Sequence, residues 1–374
     1  MDQYTLEALV PNLHIRLGIA FLVACWITAK SIPVIINFGD YKKLMDNPVK
    51  RSSHHSPIPT FGGVAIFSGT LIGYLLWNFG DEGYVLHKMI AGFTILFFLG
   101  VKDDILVLDP TKKLLSQIVA AGLVVLGGDL RLTNFFGIFG IYGVPYVISV
   151  LITIVLFVII INAFNFIDGI DGLSAGIGMI NSLFFGSWFM INGHWSLAAF
   201  AICMAGSLLV FLFFNFSNTQ KIFMGDTGSL IIGFAITIFA IRFTHFNSSY
   251  SFRTDTFVSA PILILVSLSV PLFDFFRVIL VRLSKNKKPW KGDRSHLHHI
   301  LIDIGFSHIE ASFLFYGITF LLILFTYYLR TFFSNTQLMV VIAGYFVLYM
   351  IISDVLNRWR LRNPKNKYDH FPNR

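Results

Sequence analysis

In NAFNFIDGIDGLSAG (162–176), Asn162, Asn165, Asp168 and Asp171 follow one another at steps of three, and each aspartate precedes a glycine. Eighteen nearly unbroken apolar residues (144–161) lead into them. On a helix a three-residue step advances about 300°, so each rung lags the last by about 60°. Asn162, Asn165 and Asp168 therefore fall on one slowly winding stripe. Gly169 and Gly172 loosen the backbone beyond it and leave room for a ligand. Polar groups at the end of an apolar run are costly unless they pair or line a cavity. Interhelical hydrogen bonding accounts well for one rung, Asn162, but poorly for all four.

Further acids stand in two other stretches. Asp103 and Asp104 are adjacent in GVKDDILVLDPTKKLLSQ (100–117), and Asp226 sits in KIFMGDTGSL (221–230). Singly, each reads equally well as a solvated loop residue or a helix cap, and GDTGS as an N-cap with glycines for a tight turn. Together, five carboxylates with nearby Asn and Thr suit a hard divalent cation. Mg²⁺ takes oxygen ligands, commonly one or two carboxylates plus substrate phosphates. The D-x-D-x-D spacing of an EF-hand loop does not occur.

Basic groups supply the counterpart. KGDRSHLHHIL (291–301) carries Arg294, His296, His298 and His299. Imidazole suits zinc, but no cysteine is near and the acids fit a hard ion. A polyphosphate clamp of Arg and His donors is the stronger reading, with six basic residues in 282–311. Gly62 and Gly63 in HHSPIPTFGG (54–63) offer backbone N–H groups to a phosphate. Asp274 and Arg277, three apart in an apolar run, read as a structural intrahelical pair. An acidic metal site facing a basic loop suggests a diphosphate bridged by Mg²⁺.

Membrane helices must position these groups. Of 374 residues 55% are hydrophobic and 13% charged, about half the charged share of a soluble domain. Eleven spans are expected, roughly 13–37, 61–79, 85–101, 114–128, 143–161, 173–191, 195–214, 228–244, 257–282, 312–330 and 336–357, with ten as the alternative count. The alternating connections place 20 of the 28 Lys and Arg residues on one side and five on the other. That side is expected to be cytoplasmic, with the N-terminus outside and the C-terminus inside. All five unusual polar stretches fall on it. The expected architecture is an all-α polytopic membrane protein with a single domain over 1–374 and a basic cytoplasmic tail at 358–374. The +8 net charge then reflects topology and attraction to anionic membrane lipids, not nucleic-acid binding. Cys25 and Cys203 lie in apolar runs and read as small buried residues. Residues 1–14 show no positive n-region or small-residue cleavage site, so the first span is expected to serve as its own address.

Taken together, these stretches resemble the polyprenyl-phosphate N-acetylhexosamine-1-phosphate transferase superfamily (glycosyltransferase family 4). Within it the chain looks most like the bacterial undecaprenyl-phosphate N-acetylglucosamine-1-phosphate transferases. The resemblance runs from about residue 20 to 330 and rests on the Asp103–Asp104 pair with Lys113 downstream, NAFNFIDGIDGLSAG, FMGDTGSL and DRSHLHHIL. It implies ten or eleven membrane helices in the bacterial cytoplasmic membrane and a cytoplasmic active site using Mg²⁺, with Mn²⁺ as a substitute. By the same resemblance Asp226 is the magnesium ligand. Asp103 and Asp104 activate the lipid phosphate or position the metal. Asn165, Asp168 and Asp171 serve nucleotide and metal, Lys113 meets phosphate, and Arg294, His296, His298 and His299 meet the diphosphate and sugar. Three positions depart from the family pattern. RSSH puts Ser52 in the place of a lysine, SNTQ replaces Pro-Ala before KIFMGD, and HLHHIL has neither three consecutive histidines nor a following acid. The last argues against the muramoyl-pentapeptide branch.

The implied partners are a UDP-N-acetylhexosamine, with GlcNAc first, and undecaprenyl phosphate. The implied product is UMP with a lipid-linked sugar that begins a cell-surface glycan such as O-antigen or teichoic acid; a homodimer is compatible with all of this. Two other classes fit the sequence less well. A polytopic transporter would hold its site near the bilayer midplane, whereas these clusters sit at span ends. A CDP-alcohol phosphotransferase would carry D-G-x-x-A-R, and DGLSAG has no Arg there.

Overall fold

Each of the eleven apolar segments is helical over most of its described residues in the computed structural model, which describes residues 10, 12–42, 45–46, 57–77, 79, 83–249, 259–286 and 295–362. In chain order the helices are α1 (Leu13–Lys42), α2 (Gly62–Leu75), α3 (Gly83–Leu106), α4 (Pro110–Gly127), α5 (Tyr146–Ile167), α6 (Leu173–Ile191), α7 (Trp195–Asn215), α8 (Gly225–Ser249), α9 (Ala260–Ser267), α10 (Ser269–Ser284), α11 (Leu297–Asp303), α12 (His308–Leu329) and α13 (Asn335–Arg362). Two small antiparallel ribbons accompany them, β1 (Met45–Asp46) with β2 (Ile58–Pro59), and β3 (Asn134–Ile138) with β4 (Ile141–Gly143).

Among the described residues seven helices are long and apolar enough to cross a membrane, or eight when the bent pair α9–α10 counts as one. The protein is therefore a multi-pass membrane protein. The other three expected spans, in α2, α3 and α4, are not among these helices. With 14 residues, α2 reaches only about 21 Å at about 1.5 Å per residue. α3 ends in Lys102, Asp103 and Asp104, and α4 begins with Lys112 and Lys113.

Packing is concentric. α8 lies at the centre with 83% of its apolar window buried, against 17% for α13 at the edge. Lipid tails are as apolar as leucine, so close backbone approach and polar contacts, rather than burial, favour helix association here. Gly69 and Gly73 of α2, one turn apart, face Ala24 and Ala20 of α1; a Cβ on Gly69 would lie 2.7 Å from the Ala24 carbonyl.

The segment expected as one span over 257–282 breaks by 71° between α9 and α10. Pro271 has no N–H to give the Ser267 carbonyl one turn back. Asn181 of α6 supplies the missing donor, with Nδ2 3.1 Å from that oxygen. The bend redirects α10 across the bundle.

Candidate active site

Four chain segments meet where α3, α5 and α8 come together at one end of the bundle. α4 starts cleanly there, with Asp109 as N-cap accepting from Thr111 N at 2.8 Å and Pro110 in the first turn. This puts Lys113 one turn inside α4, opposite the end of α3. Its Nζ bridges Asp103 Oδ2 at 2.9 Å and Asp226 Oδ2 at 2.7 Å. Burial alone would lower the Lys113 pKa, but Asp226 and Asp103 outweigh it and hold the ammonium above its usual value. Asp103 also accepts from Leu108 N at 2.6 Å, closing a turn in which Val107 sits at φ 49°, a strained position for a β-branched residue.

Asp104, read from the sequence as catalytic, serves chiefly to cap another helix. Its Oδ1 accepts from Asp226 N at 2.7 Å, and its Oδ2 from Thr227 N at 3.2 Å and Thr227 Oγ1 at 2.5 Å. The first N–H groups of a helix have no partner within it, and negative charge there is favourable. A carboxylate at the end of α3 thus seats the first turn of α8, which carries Asp226. Burial still pushes Asp104 up to about 7. Gly225 enters this turn at φ 72°, so close to the Thr60 carbonyl that a Cβ would lie 2.1 Å from it.

The amide rungs divide as the sequence led us to expect. Asn162 pairs with Gln117 of α4, Nδ2 to Oε1 at 2.7 Å, and holds two helices together. Asn165 reaches the site: its Nδ2 donates to Asp226 Oδ1 and to Ser229 Oγ, the latter at 2.9 Å. Asp226 is thereby oriented from α5, α4 and α3 at once.

Asp168 stands apart. It follows the last residue of α5 and makes no hydrogen bond or ion pair with any described residue. Burial, then the like charges of Asp226, Asp104 and Asp171, push its carboxyl well above the usual range. A carboxylate with no partner among the described residues, under the charge of three other acids, fits a divalent cation: oxygen donors of the right kind are gathered where negative charge is least tolerated.

Three expectations are corrected. Gly62 and Gly63 do not offer their N–H groups to a phosphate. Both are buried and donate to the carbonyls of Phe223 and Met224, at 2.9 and 2.8 Å. A Cβ on Gly63 would lie 2.2 Å from Gly228 N, so these glycines let α2 approach α8. Asp171 does not join the acid cluster as a free ligand. Lys221 Nζ meets its Oδ2 at 2.5 Å and His308 Nδ1 at 3.0 Å. Burial raises its pKa, but His308 and Lys221 outweigh that and hold it below the ordinary value. Asp274 is not merely paired with Arg277; it also holds the histidine loop, with His296 Nδ1 2.6 Å from its Oδ2.

The histidine loop closes over the DG turn. His298 is 1% exposed, and a Cβ on Gly169 would lie 2.5 Å from its Nε2. Only a glycine there admits the imidazole. Burial, with His299 next, holds His298 well below its usual pKa, so at neutral pH it acts as an uncharged ring and not as part of a cationic clamp. Nε2 has no hydrogen-bond partner among the described residues. His299 lies beside His298, ring centroids 4.3 Å apart. Arg294, like Ser52, lies outside the described residues.

Sequence reasoning missed Thr227, Ser229, Lys221 and His308 as positioning groups. The first three stood in quoted stretches, at or beside KIFMGDTGSL. His308 had no local signal; it reaches Asp171 only because α12 folds back on the DG turn, where Ser312 Oγ and Tyr316 OH also donate to the carbonyls of Asp171 and Gly172, at 2.7 and 2.5 Å.

Comparison with known proteins bears on this cluster. A family model described as Glycosyl transferase family 4 matches residues 86–244, from α3 through most of α8. A Bacillus subtilis protein named "Probable undecaprenyl-phosphate N-acetylglucosaminyl 1-phosphate transferase" is 31% identical over 310 residues, 82% of this chain and 83% of its own. An Escherichia coli K12 protein named "Undecaprenyl-phosphate alpha-N-acetylglucosaminyl 1-phosphate transferase" is 30% identical over 274 residues, 72% of this chain and 71% of its own. A Haemophilus influenzae protein of the same name is 28% identical over 325 residues, 85% of this chain and 88% of its own. With similarity spread over four fifths of a relative's length, and the matched segment supplying Asp103, Asp104, Lys113, Asn165, Asp168 and Asp226, this chain belongs to glycosyl transferase family 4.

Proposed function

We propose that the protein transfers N-acetylglucosamine-1-phosphate from UDP-GlcNAc to undecaprenyl phosphate, releasing UMP, on the cytoplasmic face of a bacterial membrane. The lipid phosphate oxygen forms a bond to the sugar-bearing phosphorus of the donor, the bond from that phosphorus to the UMP oxygen breaks, and UMP leaves with the electron pair. The names of the relatives support the acceptor and the sugar. The observation that carries the reading is Asp168: a half-buried carboxylate just past the end of α5, with no hydrogen bond or ion pair among the described residues, which feels the charges of Asp226 and Asp104.

Asp226 and Asp168 are the residues that would hold Mg²⁺, with Asp103 beside them. A bound Mg²⁺ supplies positive charge for the diphosphate and the developing charge of the leaving phosphate. Asp104, Asn165 and Lys113 keep Asp226 in one orientation. His298 offers an uncharged nitrogen beside Gly169. A phosphate monoester has its second pKa near 6, so at pH 7 the lipid phosphate is mostly a dianion. No strong base is needed, and Asp103 acts by positioning. A single displacement follows, without a phospho-aspartyl intermediate.

A transporter would hold its polar groups near mid-span, whereas these groups sit at helix ends. Purified protein given UDP-GlcNAc, Mg²⁺ and undecaprenyl phosphate should release UMP. No release from any UDP-N-acetylhexosamine would reject the reading, and release only from a different one would change the sugar.

A further inference from the structure

Asp274 is 2% exposed and lies inside an apolar segment, where an ionised group is costly unless paired and hydrogen-bonded. The pairing within its own helix, to Arg277, is loose at 3.6 Å. Its short contacts lead off α10. Oδ2 meets His296 Nδ1 at 2.6 Å, and Oδ1 accepts from Leu297 N at 3.0 Å and from the Tyr349 hydroxyl at 3.2 Å. Arg277 turns its guanidinium to the Ser295 carbonyl. One carboxylate and its helical neighbour therefore hold three successive residues, 295 to 297, at the start of α11. The edge of His296 is fixed a second time by Phe166 of α5, ring centroids 5.6 Å apart at 85°.

We propose that Asp274 is a positioning residue for the transfer reaction: it holds His296 protonated on Nδ1 and so seats the 296–299 loop against the Asp168–Gly169 turn. The proposal rests on the transferase reading above. A carboxylate accepts and cannot donate, so a ring nitrogen 2.6 Å away must carry the proton. Which nitrogen protonates is set by the hydrogen bond the other side makes, and Nε2 is left as the nitrogen turned away from Asp274. The α9–α10 break at Pro271 is what brings Asp274 to the loop.

A metal centre is the competing use of this cluster, because ligand atoms of Asp274, His296 and His298 lie within 4.8 Å of one another. The spacing favours the hydrogen bond. Two ligands on one tetrahedral zinc, each about 2.0–2.1 Å from it, sit more than about 3 Å apart, not 2.6 Å. The Arg277 charge beside the carboxylate also opposes a dication.

The test compares wild-type, Asp274→Asn, His296→Gln and the double variant by UMP release, with detergent melting temperatures alongside. Each single change should lower kcat/KM on the order of 10–100-fold, as loss of an orienting partner does elsewhere. The double variant should be no worse than His296→Gln, because Asp274 acts through that ring. Losses that multiply, or an Asp274→Asn variant within twofold of wild type, would overturn the proposal. Should Asp274→Asn fail to fold, wild-type protein with ¹⁵N-histidine decides. The signal lost in His296→Gln must show a protonated Nδ1, and an unprotonated one refutes the link. One zinc per chain that disappears in His298→Gln would replace the proposal by a metal centre. Failure of the wild type to release UMP rejects the transferase reading instead, and the Nδ1 measurement still judges the Asp274–His296 pair.

Discussion

Asp104 caps the helix that carries Asp226: its Oδ1 lies 2.7 Å from the Asp226 backbone nitrogen, though 122 residues separate them in sequence. Two acids that look alike in sequence thus divide the work, one holding the helix start and the other presenting its carboxylate. Asp226→Asn should abolish UMP release even at raised Mg²⁺; near-normal turnover would remove Asp226 as the cation ligand. Asp104→Ala removes the acceptor oxygens for all three donors at the start of α8. It should cost about 0.5–2 kcal/mol of stability, in the range of lost helix caps, and lower kcat with it, read by melting and UMP assays on the same preparation.

The two amide rungs should separate by readout. Asn162→Ala removes a helix-to-helix pair with Gln117 and should lower the melting temperature while leaving kcat within about threefold. Asn165→Ala frees the Asp226 carboxylate to rotate and should lower kcat by more than tenfold with a smaller thermal effect. The opposite assignment of losses would mean that Asn165 does not orient Asp226.

Asp104 and Asp168 have raised pKa values in the folded state. Both groups therefore bind more protons in the folded protein than in the unfolded chain above the unfolded value near 3.9, and for Asp104 this holds up to about 7. Stability should fall as pH rises through that window. Asp171 is shifted the other way, and its contribution is lost only at pH below about 4, so it stays constant there. In EDTA the melting temperature should drop from pH 5 to pH 8, and Mg²⁺ should restore it mainly at pH 8. A flat profile, or Mg²⁺ acting equally at both values, would count against the acid cluster as the cation site.

Gly169 and Gly63 should respond differently to alanine. At Gly169 the new methyl meets the edge of the His298 ring, 2.5 Å away before any shift. The ring can move, so the fold should survive and kcat fall. At Gly63 the methyl meets backbone of α8 at 2.2 Å, which cannot yield locally. Overpacking of this kind costs about 1–3 kcal/mol, and Gly63→Ala should be recovered in low yield and with a lowered melting point.

Much of this was legible in one dimension. The composition and the apolar segments establish a multi-pass helical membrane protein by themselves, because only helices and closed barrels satisfy their backbone in lipid. Asp168, Asp226, Lys113 and Asn165 were singled out by residue type, spacing and resemblance, and they meet in space. Asn162 was the doubtful rung and proves to pair with Gln117, not with an acid.

Residue type could not tell which acid caps, which pairs and which stays open. Asp104 and Asp171 read like Asp168 until Thr227, Lys221 and His308 arrive from distant segments. Nor could Asp274 be placed, since Arg277 three residues on offered a sufficient local partner. The break at Pro271 brings that carboxylate to a histidine 22 residues later. Sequence alone determined the elements, because hydrophobic length and backbone hydrogen bonding act locally. Tertiary structure decided the roles, because a buried carboxylate is defined by whichever donors reach it, and those come from elsewhere in the chain.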